Sequence, residues 1–172
     1  MRRLALVCAM LGSAGTAAAQ DFRPPSVQES SRGVRIGLMG FGVRTGFSVT
    51  SPRQIVFGTT LDLGDLYSSR VRPRASLEVG VGGGANSYVT SLESIFRFTE
   101  DGDVAVPYFG LGMSIAGHEG CGPDPDCPDL WANVVLGFEL RYRATFNWLV
   151  EYHGMDAFRR HRLYLGLTTR RS

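Results

Sequence analysis

Three groups of residues have the types and spacing that chemistry requires. Cys121 and Cys127 flank Gly-Pro-Asp-Pro-Asp, and Cys8 is the only other cysteine. Two cysteines this close in a loop point to a disulfide if the chain enters an oxidising compartment; the alternative is a pair of free thiols. Glu119, Asp124, Asp126 and Asp129 surround them. Loop carboxylates can hold calcium, but this spacing is not the EF-hand pattern, and Pro123, Pro125 and Pro128 stiffen the segment. A solvated acidic loop is therefore expected. His118 near Cys121 supplies too few ligands for zinc, so neither a metal nor a cofactor is expected.

His153 is the second candidate. Acyl chemistry would need a nucleophile within its reach and an acid to orient the ring. Glu151 and Asp156 are near in sequence, but no serine lies close by in the last two periodic runs. An interior or rim histidine without a catalytic role is expected, and no residue is assigned to catalysis. The third group is Arg74, Glu78, Glu93, Arg97, Glu139, Arg141, Glu151 and Arg162. Arginine and glutamate facing each other can line an ion path or lock together as a salt-bridge network. Gly82-Gly83-Gly84 lacks the strand-to-helix setting of a phosphate loop.

Positioning these groups takes a fold, and composition bounds it. The chain has 172 residues, 44% hydrophobic and 20% charged, which fits one ordinary domain. Its 22 glycines stand well above the usual ~7%. Every basic residue is arginine, and the net charge of +2 is too small to argue for nucleic acid. The N-terminus reads as an address. Arg2-Arg3 precede the apolar stretch Leu4–Leu11, and small residues end at Ala17-Ala18-Ala19. This is a secretory signal peptide over residues 1–19, with cleavage before Gln20. Its removal leaves the arginines equal in number to the 16 acidic residues. Residues 20–32, with Pro24-Pro25, read as a flexible leader.

Beyond the leader, eight runs alternate with period two. Val71, Pro73, Ala75, Leu77, Val79 and Val81 interleave with Arg72, Arg74, Ser76, Glu78, Gly80 and Gly82. Val134 to Tyr142, Ala144 to His153 and Arg162 to Arg170 repeat the pattern, and looser versions cover Ile55–Leu63, Thr90–Phe98 and Phe109–Ile115. The first run starts cleanly at Val34, Ile36 and Leu38, but Phe41 and Val43 fall in the opposite phase. A bulge near Gly40 would explain that slip.

The polar face decides which side is inside. It carries glycines, the arginines 35, 72, 74, 97, 141, 162 and 170, and the acids Asp62, Glu78, Glu93, Glu139 and Glu151. A solvated sheet surface disfavours glycine. A narrow barrel interior needs glycine for space and both charge signs for neutrality. The apolar face is rich in Leu, Val and Phe, with Trp148, Tyr142 and Tyr152 near strand ends as an interfacial girdle would be. No segment after the signal is long and apolar enough for a spanning helix, so a spanning chain must close into a barrel.

The chain resembles the small outer-membrane β-barrel families, such as the membrane domain of outer-membrane protein A and its eight-stranded relatives. The resemblance rests on Val106–Gly112 (VPYFGLG), Val135–Tyr142 (VLGFELRY) and Leu163–Leu167 (LYLGL), and covers roughly Gly33 to Arg171. Such families usually end in an aromatic residue that the insertion machinery reads; this chain ends Thr169-Arg170-Arg171-Ser172. The resemblance implies an all-β, eight-stranded, antiparallel up-and-down transmembrane barrel over residues 33–171. Both termini would face the periplasm, and longer connections after strands one, three, five and seven would face outside. The expected partners are outer-membrane lipid, the barrel-insertion machinery and an extracellular partner at loop 117–129. The expected role is structural or surface-interacting and not enzymatic. Two alternatives stand beside it: a soluble periplasmic, lipocalin-like barrel binding a small apolar ligand, and a barrel enzyme that modifies lipid A.

Overall fold

The computed structural model describes residues 35–66, 68, 70–99, 103–121, 127–142 and 146–169. The expected signal peptide and leader, Asp124, Asp126, Arg170, Arg171 and the turn residues 100–102 and 143–145 lie outside the described residues. The alternating runs form eight strands: β1 (Arg35–Ser48), β2 (Ile55–Asp65), β3 (Val71–Val81), β4 (Ser87–Arg97), β5 (Ala105–His118), β6 (Asp129–Arg141), β7 (Phe146–Met155) and β8 (Arg160–Thr169). Each pairs antiparallel with the next, and β8 returns to β1, closing the barrel. Closure removes the free sheet edge where β1 and β8 pair, from Gly42 with Thr168 to Ser48 with Arg162. The shortest strands have 10 residues, within the roughly 9–11 that a tilted strand needs to cross a hydrocarbon core.

The phase slip in β1 has a structural cause. Arg35 and Ile36 oppose Asp65 and Gly64, but the next regular pair is Gly40 with Asp62, so β1 spends extra residues between Ile36 and Gly40. From there Phe41, Val43 and Phe47 point outward and exposed, while Arg44 points inward and is buried.

The same sorting holds around the barrel. Leu77, Leu92, Leu111, Leu136 and Leu165 expose 52%, 60%, 55%, 49% and 51% of their surface. Their neighbours in sequence, such as Ser76, Glu78, Ser91, Glu93, Val135 and Tyr164, are buried inside. A lipocalin-like barrel needs the reverse, with apolar side chains lining the interior. The structure corrects that alternative, because alternation places leucine outside wherever glutamate or arginine takes the inward position. Trp148 and Tyr142 meet edge to face at 6.4 Å. Phe96 and Phe98 do so at 5.5 Å near the same end.

Both the start of β1 and the end of β8 lie at one end, here called proximal. The connections 49–54, 82–86, 119–128 and 156–159 lie at the other, distal end. Only 119–128 is long; the remaining distal connections are no longer than the proximal 98–104. That departs from the expected contrast between the two ends.

Candidate functional site

The interior is built from pairs of charge and glycine. Arg44 lies directly opposite Gly58 on β2 and Gly166 on β8. Glu78 opposes the same Gly58 from β3. A Cβ at Gly58 would stand 3.2 Å from Glu78 Cγ and 3.3 Å from Arg44 Cγ. Glu93 and Asn133 flank Gly112, where a Cβ would stand 2.8 Å from Glu93 Cγ. Tyr108 and Glu151 flank Gly137 in the same way. An eight-stranded barrel is only wide enough for side chains to fill, so long residues require an empty neighbour at their own level.

The long residues form one continuous network. Arg44 pairs with both Glu78 and Glu151. Glu151 also pairs with Arg74. Arg74 donates from Nε and Nη2 to Glu93 Oε2 at 2.9 and 2.7 Å. Arg162 Nη1 donates to Glu78 Oε2 at 2.7 Å. Two phenols finish the lone pairs: Tyr164 O–H donates to Glu78 Oε2 and Tyr108 O–H to Glu151 Oε1, each at 2.6 Å. Asn133 Nδ2 donates to Glu93 Oε1 at 3.0 Å. The imidazole of His153 sits between two acids, 3.2 Å from Glu151 Oε2 and 3.8 Å from Glu93 Oε1. Arg44 also lies over the Tyr164 ring, 4.6 Å from its centroid.

Three carboxylates and three guanidiniums thus neutralise one another, which is what buried charge requires. The side chains of Arg44, Glu78, Glu93, Glu151 and His153 have 0% accessible surface. Solvent therefore touches none of them. Apolar clusters flank the network on both sides. Ile95, Tyr108, Val135 and Leu149 pack proximally, and Val89, Ala116 and Met155, backed by Trp131, pack distally.

Of the residues read from sequence, Arg74, Glu78, Glu93, Glu151 and Arg162 meet in this network. Arg97 and Glu139 form a separate proximal contact at 4.0 Å, joined by Asn147 at 3.4 Å from Glu139. Arg72 reaches Asp62 at 3.2 Å and Asp65 at 3.1 Å nearby. Arg141 takes the inward phase but is exposed at the end of β6, so it stands outside the buried network. Its position beyond the last apolar layer is the reason. The sequence reading missed Arg44, the most connected cation, because the β1 bulge hid its phase. Tyr108 and Tyr164 were missed as partners as well; their signal is the phase they share with the acids. Cys121 and Cys127 are bonded, with Cα atoms 5.3 Å apart. Glu119 and Asp129 beside them are exposed.

No family model matches the chain, and no curated protein sequence matches it. Solved structures do. The N-terminal β-barrel domain of Pseudomonas aeruginosa OprF is similar with a TM-score of 0.58 at 15% identity, over 77% of this chain and 98% of that one. Neisserial surface protein A is similar with a TM-score of 0.58 at 12% identity, over 77% of this chain and 96% of that one. The outer membrane enzyme PagL is similar with a TM-score of 0.51 at 14% identity, over 77% of this chain and 99% of that one. At these identities what is shared is the fold. The fold is that of small outer-membrane β-barrels.

Proposed function

We propose that this chain is an outer-membrane β-barrel with a structural or surface-interacting role and a lumen sealed by its arginine–glutamate network. The observation that carries the reading is the sorting of the two faces. Leucine, valine and phenylalanine are exposed all around the barrel, and Arg44, Arg74, Glu78, Glu93, Glu151 and Arg162 are enclosed. Water would penalise that outer surface; acyl chains would solvate it. In this reading residues 1–19 direct export and the insertion machinery folds the barrel into lipid. The distal end faces outside, where the disulfide-closed loop 117–129 is the surface offered to an extracellular partner.

A role without catalysis is supported by the setting of His153. Its ring is enclosed, and its neighbours are Glu151, Glu93, Arg44 and the edge of Tyr164. A lipid acyl group outside the barrel has no approach to it. Replacing His153 with alanine and assaying lipid A acylation tests the enzymatic alternative; a loss of activity from a folded variant contradicts the proposal. The main test is membrane fractionation with a gel comparison of heated and unheated samples. An outer-membrane fraction and a heat-dependent mobility shift are expected. A mature chain soluble without detergent overturns the reading.

A further inference from the structure

Distal to the sealed network the barrel opens into a recess of about 230 Å³. Gln54, Ser87, Val89, Trp131, Arg160 and Arg162 are among the residues lining it. Gln54 fixes one wall, donating to the Ala85 carbonyl at 2.7 Å and accepting from Ser87 Oγ at 2.7 Å. Two of the lining residues are cations on one strand. Arg160 and Arg162 are two positions apart on β8, so both side chains leave the same face about 7 Å apart.

Their charge states of pairing differ. Arg162 is held by Glu78 at 2.7 Å as part of the neutral network. Arg160 lies over the ring of Trp131, 4.6 Å from its centroid, and among the described residues no carboxylate lies within ion-pair distance of it. The one carboxylate among the lining residues, Asp129, is exposed. An arginine stacked on an indole keeps the edge of its planar fork free for a planar anion. Because the network beneath is already balanced, an anion entering here meets a cation without an ion-pair partner among the described residues.

We propose that this recess binds a small soluble organic anion. Its carboxylate or phosphate group lies between Arg160 and Arg162, and its short apolar part rests on Trp131 and Val89. Its lining residues on the strands, Val89, Trp131, Arg160 and Arg162, take the inward phase, and none of the outward leucines lines it, which favours a soluble ligand over a lipid headgroup.

Trp131 reports occupancy directly. The chain has two tryptophans, so Trp148→Phe leaves Trp131 alone. Phenyl phosphate titrated into the refolded full chain in neutral detergent micelles should change Trp131 emission saturably. Phenol, the same ring without the charge, should not; this comparison needs no variant in the recess. Arg160→Gln should weaken phenyl phosphate about tenfold, with folding checked by heat-dependent gel mobility. Arg53→Gln, at an exposed arginine outside the recess, should leave binding unchanged. The proposal is overturned if phenyl phosphate gives no saturable change, if phenol binds equally, or if folded Arg160→Gln binds as tightly as the parent. Displacement of phenyl phosphate by phosphatidylglycerol added to the micelles overturns it too, by assigning the site to a lipid headgroup.

Discussion

Replacing Arg44 with methionine strikes the network where its connections converge. Arg44 bonds two carboxylates, Glu78 and Glu151, and solvent reaches none of the three. Each lost charge-assisted bond costs about 1.5–3 kcal/mol. Neither acid is left alone, because Glu78 keeps Arg162 and Tyr164, and Glu151 keeps Arg74 and Tyr108. Those surviving partners hold the cost toward the lower end, yet the interior acquires one unbalanced negative charge. The expected destabilisation is about 3–5 kcal/mol, the range for breaking a buried pair from one side. Adding Glu151→Gln restores neutrality. The double variant should then be less destabilised than the sum of the singles by about 2 kcal/mol. Arg72→Met is the comparison, since Arg72 and its partners Asp62 and Asp65 remain partly accessible; it should cost clearly less than Arg44→Met. Denaturant unfolding in micelles, followed by tryptophan emission and gel mobility, reads all four. A cost under about 1 kcal/mol for Arg44→Met, or additivity of the two changes within about 0.5 kcal/mol, would contradict a coupled buried network.

Leu92 lies at the middle of β4 and is 60% exposed; Leu92→Arg should destabilise the inserted barrel by about 2–4 kcal/mol, measured by unfolding from vesicles, whereas an unchanged midpoint would contradict a lipid-facing leucine. Gly112→Val should cost about 1–3 kcal/mol, because its Cβ would stand 2.5 Å from both Asn133 Oδ1 and the Leu92 carbonyl oxygen; a neutral result in the same unfolding assay would mean that the interior has slack. The mature protein should show no reactive thiol until reduced, and maleimide labelling of Cys121 and Cys127 in native, unreduced protein would contradict their bond.

The barrel was legible in the sequence because a strand's side chains have only two directions. Along β3 and β7 the alternation never slips, so reading Glu78 or His153 as inward needed nothing beyond counting. Arg44 was harder to read, since the irregularity between Ile36 and Gly40 breaks the alternation just before it and leaves only Phe41 and Val43 to show the new phase. Arg141 shows a second limit. Phase tells which way a side chain points but not its depth along the axis, and at the end of β6 an inward direction still meets solvent. The partnerships were hidden for a third reason. Arg74 and Glu151 are joined across the barrel interior with no ladder between their strands, so no local pattern could connect them.

The most direct measurement of the account places a single tryptophan at Leu77, Leu92, Leu136 or Leu165, in a chain lacking Trp131 and Trp148, and reconstitutes each variant into vesicles of lipid brominated on the acyl chains. Emission at all four positions should be strongly quenched, because those side chains touch hydrocarbon. Unquenched emission at these positions in folded protein would mean that the outward leucine face meets water or protein, and the barrel would not be embedded in lipid.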